Sequence, residues 1–173
     1  MKNTNGTIMV FVSTLFLLYL YILLKVILFK YGTVNLTFLW QQFHRTIEYP
    51  DYMEYGLQRA NFTPFKSIEQ NIQRLSVHND QINLIGNIVI FMPCGVFVRL
   101  WSKRTLSSFL VAFVLSFSLS LGLECSQLLF AMGSFDVDDL ILNGAGGLLG
   151  WGLLVLRKEK GLFEKGIRSP KHT

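Results

Sequence analysis

The chain has 173 residues, of which 51% are hydrophobic and 16% charged, and it carries a formal net charge of +5. Its mean hydropathy is +0.40 and its sequence pI about 9.3. Single soluble domains of this size rarely reach such values, so the composition excludes an ordinary water-soluble domain and points to an integral membrane protein.

Four segments are long and apolar enough to cross a bilayer, which takes roughly 20 residues each. The first, Thr7 to Phe29, reads "TIMVFVSTLFLLYLYILLKVILF". It exceeds the apolar core of a signal peptide and no small-x-small cleavage site follows it, so it reads as a retained helix. Lys25 lies near its far end, where a long side chain can snorkel to the interface. A long loop follows. In its stretch "LQRANFTPFKSIEQNIQRL", Pro64 forces Thr63 to be extended. From Ser67, the residues Ile68, Ile72 and Leu75 recur at i, i+4 and i+7, which predicts a short amphipathic helix on the membrane surface. Arg59 and Lys66 flank the proline turn. Each is a candidate counter-charge or phosphate ligand, or simply an exposed basic residue.

The second span, Ile82 to Trp101, is "INLIGNIVIFMPCGVFVRLW". Its Pro93 removes one backbone hydrogen bond and is expected to kink the helix one turn inward from Asn87, either opening a cleft or serving packing alone. The third span runs from Leu106 to Met132 and the fourth from Val137 to Leu156, ending at "RKEK". The expected organisation is all-α, a bundle of four transmembrane helices. Residues 1–30 hold the N-terminal end and first span, 31–81 the long loop, 82–156 the three-helix core, and 157–173 a basic tail.

Arg99, Lys103 and Arg104 sit between the second and third spans, and Arg157, Lys158, Lys160, Lys165, Arg168 and Lys171 follow the fourth. The loop between the third and fourth spans has aspartates and no Lys or Arg. Positive-inside then places both termini in the cytoplasm, and the long loop and aspartate loop outside. The basic excess is thereby a topology signal, so nucleic acid is not an expected partner. The bilayer is, and the tail can touch anionic lipid. Cys94 and Cys125 lie at helix depths differing by roughly 10 Å, too far for an unstrained disulfide, and read as packing residues.

Polar residues inside the spans form stripes. Asn83 and Asn87 share a face of the second helix. Ser116, Ser120, Glu124 and Gln127 follow at spacings of 4, 4 and 3 on the third. On the fourth, Asp136, Asp139, Asn143, Gly146 and Gly150 follow at 3, 4, 3 and 4. With the inferred topology all three polar ends lie at one depth, on the outer side. Interhelical hydrogen bonding alone could account for Asn83 and Asn87. Asp136 and Asp138 could be loop residues or act at the helix start, where Asp suits an N-cap and the macrodipole. Asp138, about 100° from Asp139, is expected to meet water or headgroups. Glu124 is costly inside a span and calls for a partner or a watery cavity. If it converges with Asp139, the pair needs a counter-charge, a shared proton or a cation. Gly146-x-x-x-Gly150 would let another helix approach closely and bring Asn143 towards Glu124.

The blocks "RANFTPF", "NIVIFMPCG", "ECSQLLFAMG" and "FDVDDLILNGAGGLLG" resemble, in that order, the signature blocks of the VanZ-like family of bacterial membrane proteins. The likeness runs from Arg59 to Gly152, with the first helix matching in placement. It implies a small multi-helix protein of the bacterial plasma membrane that lowers susceptibility to teicoplanin-type glycopeptides. Residue by residue it points to Asn61, Pro64, Phe65, Asn87, Pro93, Gly95, Glu124, Gln127, Asp139, Asn143 and Gly147. Many members carry a basic residue after the position of Gly133, where this chain has Ser134, so that charge must come from elsewhere and interest in Arg59 rises.

Two function classes follow. One is a binding protein that recognises a lipid-linked cell-wall intermediate or the antibiotic in an outer-leaflet pocket. Its ligand-binding set is Arg59, Asn61, Lys66, Asn83, Asn87, Glu124, Gln127, Asp136, Asp139 and Asn143. The other is an intramembrane hydrolase or transferase acting on such a lipid. There Glu124 would be the general base and Asp139 its partner, or the two would ligate a divalent metal. No Ser-His pair occurs in the spans, since His44, His78 and His172 lie in loop or tail. No cofactor is expected. A second copy of the chain is a further candidate partner, through which an oligomer could conduct ions or protons.

Overall fold

The computed structural model describes residues 2–29, 32–74, 78–102 and 105–167. Leu75, Lys103, Arg104, Arg168, Lys171 and His172 lie outside the described residues, as do the side chains of His78, Lys158, Lys160 and Lys165. The regular elements of the described residues are all helices: α1 (Lys2–Phe29), α2 (Leu36–Glu48), α3 (Asp51–Gln58), α4 (Lys66–Gln73), α5 (His78–Trp101), α6 (Thr105–Leu129) and α7 (Val137–Ile167). Four helices are long and apolar enough to span a membrane, over Gly6–Phe29, Gln81–Trp101, Leu106–Leu129 and Val137–Arg157. The all-α, four-span expectation holds.

Helix boundaries differ from the sequence reading: α1 and α5 begin earlier, at Lys2 and His78, and two C-terminal ends move. Helix α6 ends at Leu129, not Met132, because Ala131 turns left-handed (φ 48°) and the Met132 and Gly133 N–H groups close back on the Gln127 carbonyl at 2.8 and 3.2 Å. Helix α7 continues to Ile167, so the start of the basic tail is helical. The long loop differs more. It holds three helices instead of one, and only α4 was expected. Helix α2 is capped by the Asn35 side chain, which accepts the Phe38 N–H at 3.0 Å. Its apolar Leu36, Trp40, Phe43 and Ile47 recur at helical spacing, a pattern present in the sequence.

Helix α7 is the hub. Of its span 39% is buried, against 6% of the α1 span. Glycines set its contact with α5. A Cβ at Gly146 would fall on the Ile88 carbonyl, one at Gly150 on the Met92 carbonyl, and one at Gly95 on the Gly147 carbonyl. The Gly146–Gly150 face therefore seats α5, the close helix approach expected of it, and Asn143 and Glu124 line one cavity. Towards α6, Gly147 faces Ser116. Ser108, Ala112, Ser116, Ser120 and Glu124 recur every four residues along α6 and are all buried. Small residues at this seam let two backbones approach without large side chains between them. Helix α1 attaches through the Tyr19 hydroxyl, which donates to the Ile90 carbonyl at 3.0 Å, and through Leu23 and Leu28 packed with Phe91 and Leu123. Helix α5 runs uninterrupted through Pro93. Both cysteines are free, Cys94 buried and Cys125 exposed.

Candidate functional site

The polar residues of the sequence stripes separate into two centres that share the start of α7. The first is a structural knot. Asn61 bridges to the α6–α7 loop as a one-residue strand: its N–H donates to the Phe135 carbonyl at 2.8 Å, and its carbonyl accepts from the Val137 N–H at 2.9 Å. The Asn61 side-chain amide donates to Asp136 Oδ1 at 2.9 Å, and its Oδ1 accepts the Thr63 N–H at 3.1 Å. Phe62 and Phe135 stack beside the bridge with ring centroids 5.4 Å apart.

Asp136 caps its own helix, Oδ1 accepting the Asp138 N–H at 2.9 Å while Oδ2 accepts the Ser67 hydroxyl at 2.6 Å. The next acidic residue corrects the sequence reading. Asp138 meets neither water nor headgroups; it is fully buried. Its carboxylate accepts the backbone N–H groups of Phe65 (2.5 Å), Ser67 (2.6 Å) and Ile68 (3.1 Å). These are orphan donors at the start of α4, whose N-cap, Phe65, is left-handed and supplies no side-chain cap. The charges of Asp136 and Asp138 are thus met by backbone N–H groups at two helix N-termini, where the macrodipole also favours an anion. No arginine is needed there.

The second centre is a cavity of about 270 Å³ whose polar lining is Asn83 and Asn87 from α5, Glu124 and Gln127 from α6, and Asp139 and Asn143 from α7. Side chains of α1 and α5, among them Val26, Ile27 and Ile90, complete it as an apolar wall. The Asn87 amide donates to Asp139 Oδ1 at 2.5 Å. Glu124 is almost fully buried, and its Oε2 accepts the Asp136 N–H at 2.9 Å, tying the cavity to the knot. Glu124 and Asp139 line the same cavity, and two carboxyls facing one poorly solvated space call for a proton or a cation between like charges. No basic residue lines this cavity among the described residues. Asn143 is also buried; its amide donates to Ser120 Oγ at 2.7 Å, and its Oδ1 has no protein partner.

Six of the expected ligand-binding residues therefore meet around one cavity. Asn61 and Asp136 are placed in the knot, with Asp138 and Ser67 beside them. Ser67 was missed as a polar partner, and its signal was the "FTPFKS" turn followed by a helix with no capping side chain at Phe65. Arg59 does not reach the carboxylates; its guanidinium lies 5.4 Å from the Tyr55 ring centroid, with a 3.3 Å hydrogen bond to that hydroxyl. Lys66 is exposed and lines neither centre. Among the described residues no group of three His, Cys, Asp or Glu side chains is placed to hold a metal ion. A cation between Glu124 and Asp139 would thus draw its other ligands from amides, backbone or solvent.

The VanZ/LLP1 family matches this chain over residues 16–158, which takes in α2, α3, the knot, the cavity and all but the ends of the bundle. The chain belongs to the VanZ/LLP1 family. It is also 39% identical over 67 residues to Protein VanZ of Enterococcus faecium. That alignment covers 39% of this chain and 40% of the relative, so the chain matches about two-fifths of that protein's length. No solved structure matches it. Within the VanZ/LLP1 chain, the four blocks quoted above fold onto one another: "RANFTPF" is pinned to "FDVDD", while the other two supply Asn87, Glu124 and Gln127 to the cavity. VanZ/LLP1 membership and the four spans make this a multi-pass membrane protein.

Proposed function

We propose that the chain is a VanZ-like protein of the bacterial plasma membrane, both termini cytoplasmic, that lowers susceptibility to teicoplanin-type glycopeptides. It does so by recognising a lipid-linked envelope intermediate in the cavity between α5, α6 and α7 at the outer face. The observation that carries this reading is the unpartnered Asn143 Oδ1 in a buried polar cavity. Buried acceptors are rarely left without a donor, and an unmet one costs about 1–3 kcal/mol. A hydroxyl or amide N–H of a ligand meets that need, and Glu124 and Asp139 supply further acceptors.

Size favours the lipid intermediate over the antibiotic. The cavity, about 270 Å³, falls below the roughly 300–1,000 Å³ of sites that enclose drug-sized molecules. It accommodates one small polar group and not a whole glycopeptide. The apolar wall from α1 and α5 suits the adjoining hydrocarbon.

The placement of Glu124 and Asp139 in one cavity favours a second reading, an intramembrane hydrolase or transferase in which one carboxyl relays a proton to the other. Expression in a susceptible Gram-positive host distinguishes the possibilities. The wild-type gene should raise the inhibitory concentration of teicoplanin relative to vancomycin, and Glu124→Ala at equal abundance should abolish the rise. No effect of the wild-type gene would remove the resistance reading. Product formation from a purified envelope lipid would replace recognition with catalysis.

A further inference from the structure

A second concave surface lies on the loop side of the bundle and adjoins the polar cavity at Gln127. It consists of two adjoining hollows, of about 630 and 520 Å³, which share Tyr52, Ala131 and Met132. Arg45 of α2 lines the first and Arg59, following α3, lines the second. Among the described residues, no Asp or Glu lines either hollow.

Both guanidinium groups are braced on tyrosine. Arg45 stands 4.2 Å from the centroid of the Tyr52 ring and donates to the Tyr52 hydroxyl. Arg59 holds Tyr55 in the same way. Stacking limits the rotamers of a long side chain, so less freedom is lost when an anion binds. Each guanidinium keeps most of its five donors for another partner. A fork of parallel N–H groups fits phosphate oxygens in bidentate fashion, and two cations in a walled groove focus the field on an anion between them.

The groove sits where phosphate is abundant. Helix α1 ends its span at Phe29 and α2 begins at Leu36, seven positions on. Leu36, Trp40 and Ile47 of α2 are 74%, 62% and 60% exposed. An apolar helix face beside the end of a span, with a tryptophan on it, lies in the headgroup plane. Arg45 is on that helix.

We propose that the groove between α2, α3 and the α6–α7 loop is a phosphate site, in which Arg45 and Arg59 bind the phosphate or diphosphate of an anion at the membrane surface. Gln127 lines both this groove and the polar cavity. A lipid whose phosphate sits on the arginines can therefore place its adjoining polar group in the cavity. That last step rests on the proposed cavity reading, whereas the phosphate site does not.

The test uses the full chain in neutral detergent, with short-chain phosphatidic acid titrated by native mass spectrometry and inorganic pyrophosphate as competitor. Saturable binding of one lipid is expected, weakened roughly tenfold by Arg45→Gln or Arg59→Gln and further by both, as for loss of a charge-assisted contact. Arg45→Lys should recover only part, because the charge remains and the fork is lost. Arg74→Gln removes one charge outside the groove and should leave affinity within about twofold. Competition by pyrophosphate would mean that the phosphate group alone suffices; its failure beside lipid binding would mean that the group must arrive on a lipid. Equal weakening by Arg74→Gln, or no saturable binding, would overturn the site. Either result would leave the Glu124→Ala susceptibility test untouched.

Discussion

The Asp138 carboxylate of α7 caps α4 across 71 residues of sequence, accepting the Ser67 N–H at 2.6 Å. With the Phe65 and Ile68 N–H groups on the same carboxylate, one buried side chain caps the start of α4 beside the Asn61 bridge. Asp138→Ala should leave three donors unmet and cost about 2–5 kcal/mol, seen as lower membrane abundance and faster tryptic cleavage at Lys66. Asp138→Asn should fall between. Wild-type protease resistance in Asp138→Ala would show that the loop is held elsewhere.

Gly146 and Gly150 are predicted to tolerate no side chain. An added Cβ meets the backbone carbonyls of Ile88 and Met92, which cannot swing away as a side-chain tip can. Gly146→Ala or Gly150→Ala should destabilise the bundle by about 1–3 kcal/mol, read as a lower unfolding midpoint in detergent. Gly122 and Gly152 have nothing within 4 Å of the added atom and serve as neutral controls. Equal losses at all four positions would point to helix flexibility instead of close approach.

Glu124 and Asp139 should behave as a unit. At normal abundance, Glu124→Gln and Asp139→Asn are each expected to remove the proposed effect on teicoplanin susceptibility, and the double variant should be little worse than either. Additive losses, or a fully active Glu124→Gln protein, would make the pair a packing feature.

Sidedness is tested by single cysteines in a background lacking Cys94 and Cys125. A cysteine at Ser134 should label with an impermeant maleimide on intact protoplasts, whereas one at Ser102 should label only after lysis. The opposite pattern would turn the polar cavity towards the cytoplasm.

The spans were legible because apolar length is a one-dimensional property, and the cavity because its six residues repeat at helical spacing on three helices. Periodicity failed at Asp138. A 100° turn from Asp139 says which way a side chain points and not what will be there, and α4 arrives from a distant part of the chain. Helix α2 was overlooked although Leu36, Trp40, Phe43 and Ile47 carry the same spacing used for α4. For Arg59 the sequence left three roles open: a counter-charge to the carboxylates, a phosphate ligand or an exposed basic residue. The aromatic ring that holds it, Tyr55, lies one turn back on α3, the other helix that the reading lacked.

The remote cap also sets an order of events during synthesis. Helix α4 leaves the ribosome with its first N–H groups uncovered, and the residue that covers them follows 71 positions later, about 4 to 14 s at roughly 5–20 residues per second. Over that interval α5 and α6 must enter the bilayer while the loop waits open. Closure must then await the start of the last span, so a sealed loop records that α7 has begun to emerge. A chain arrested before Asp138 should display the loop to membrane-impermeant proteases even when its first three spans are correctly in place.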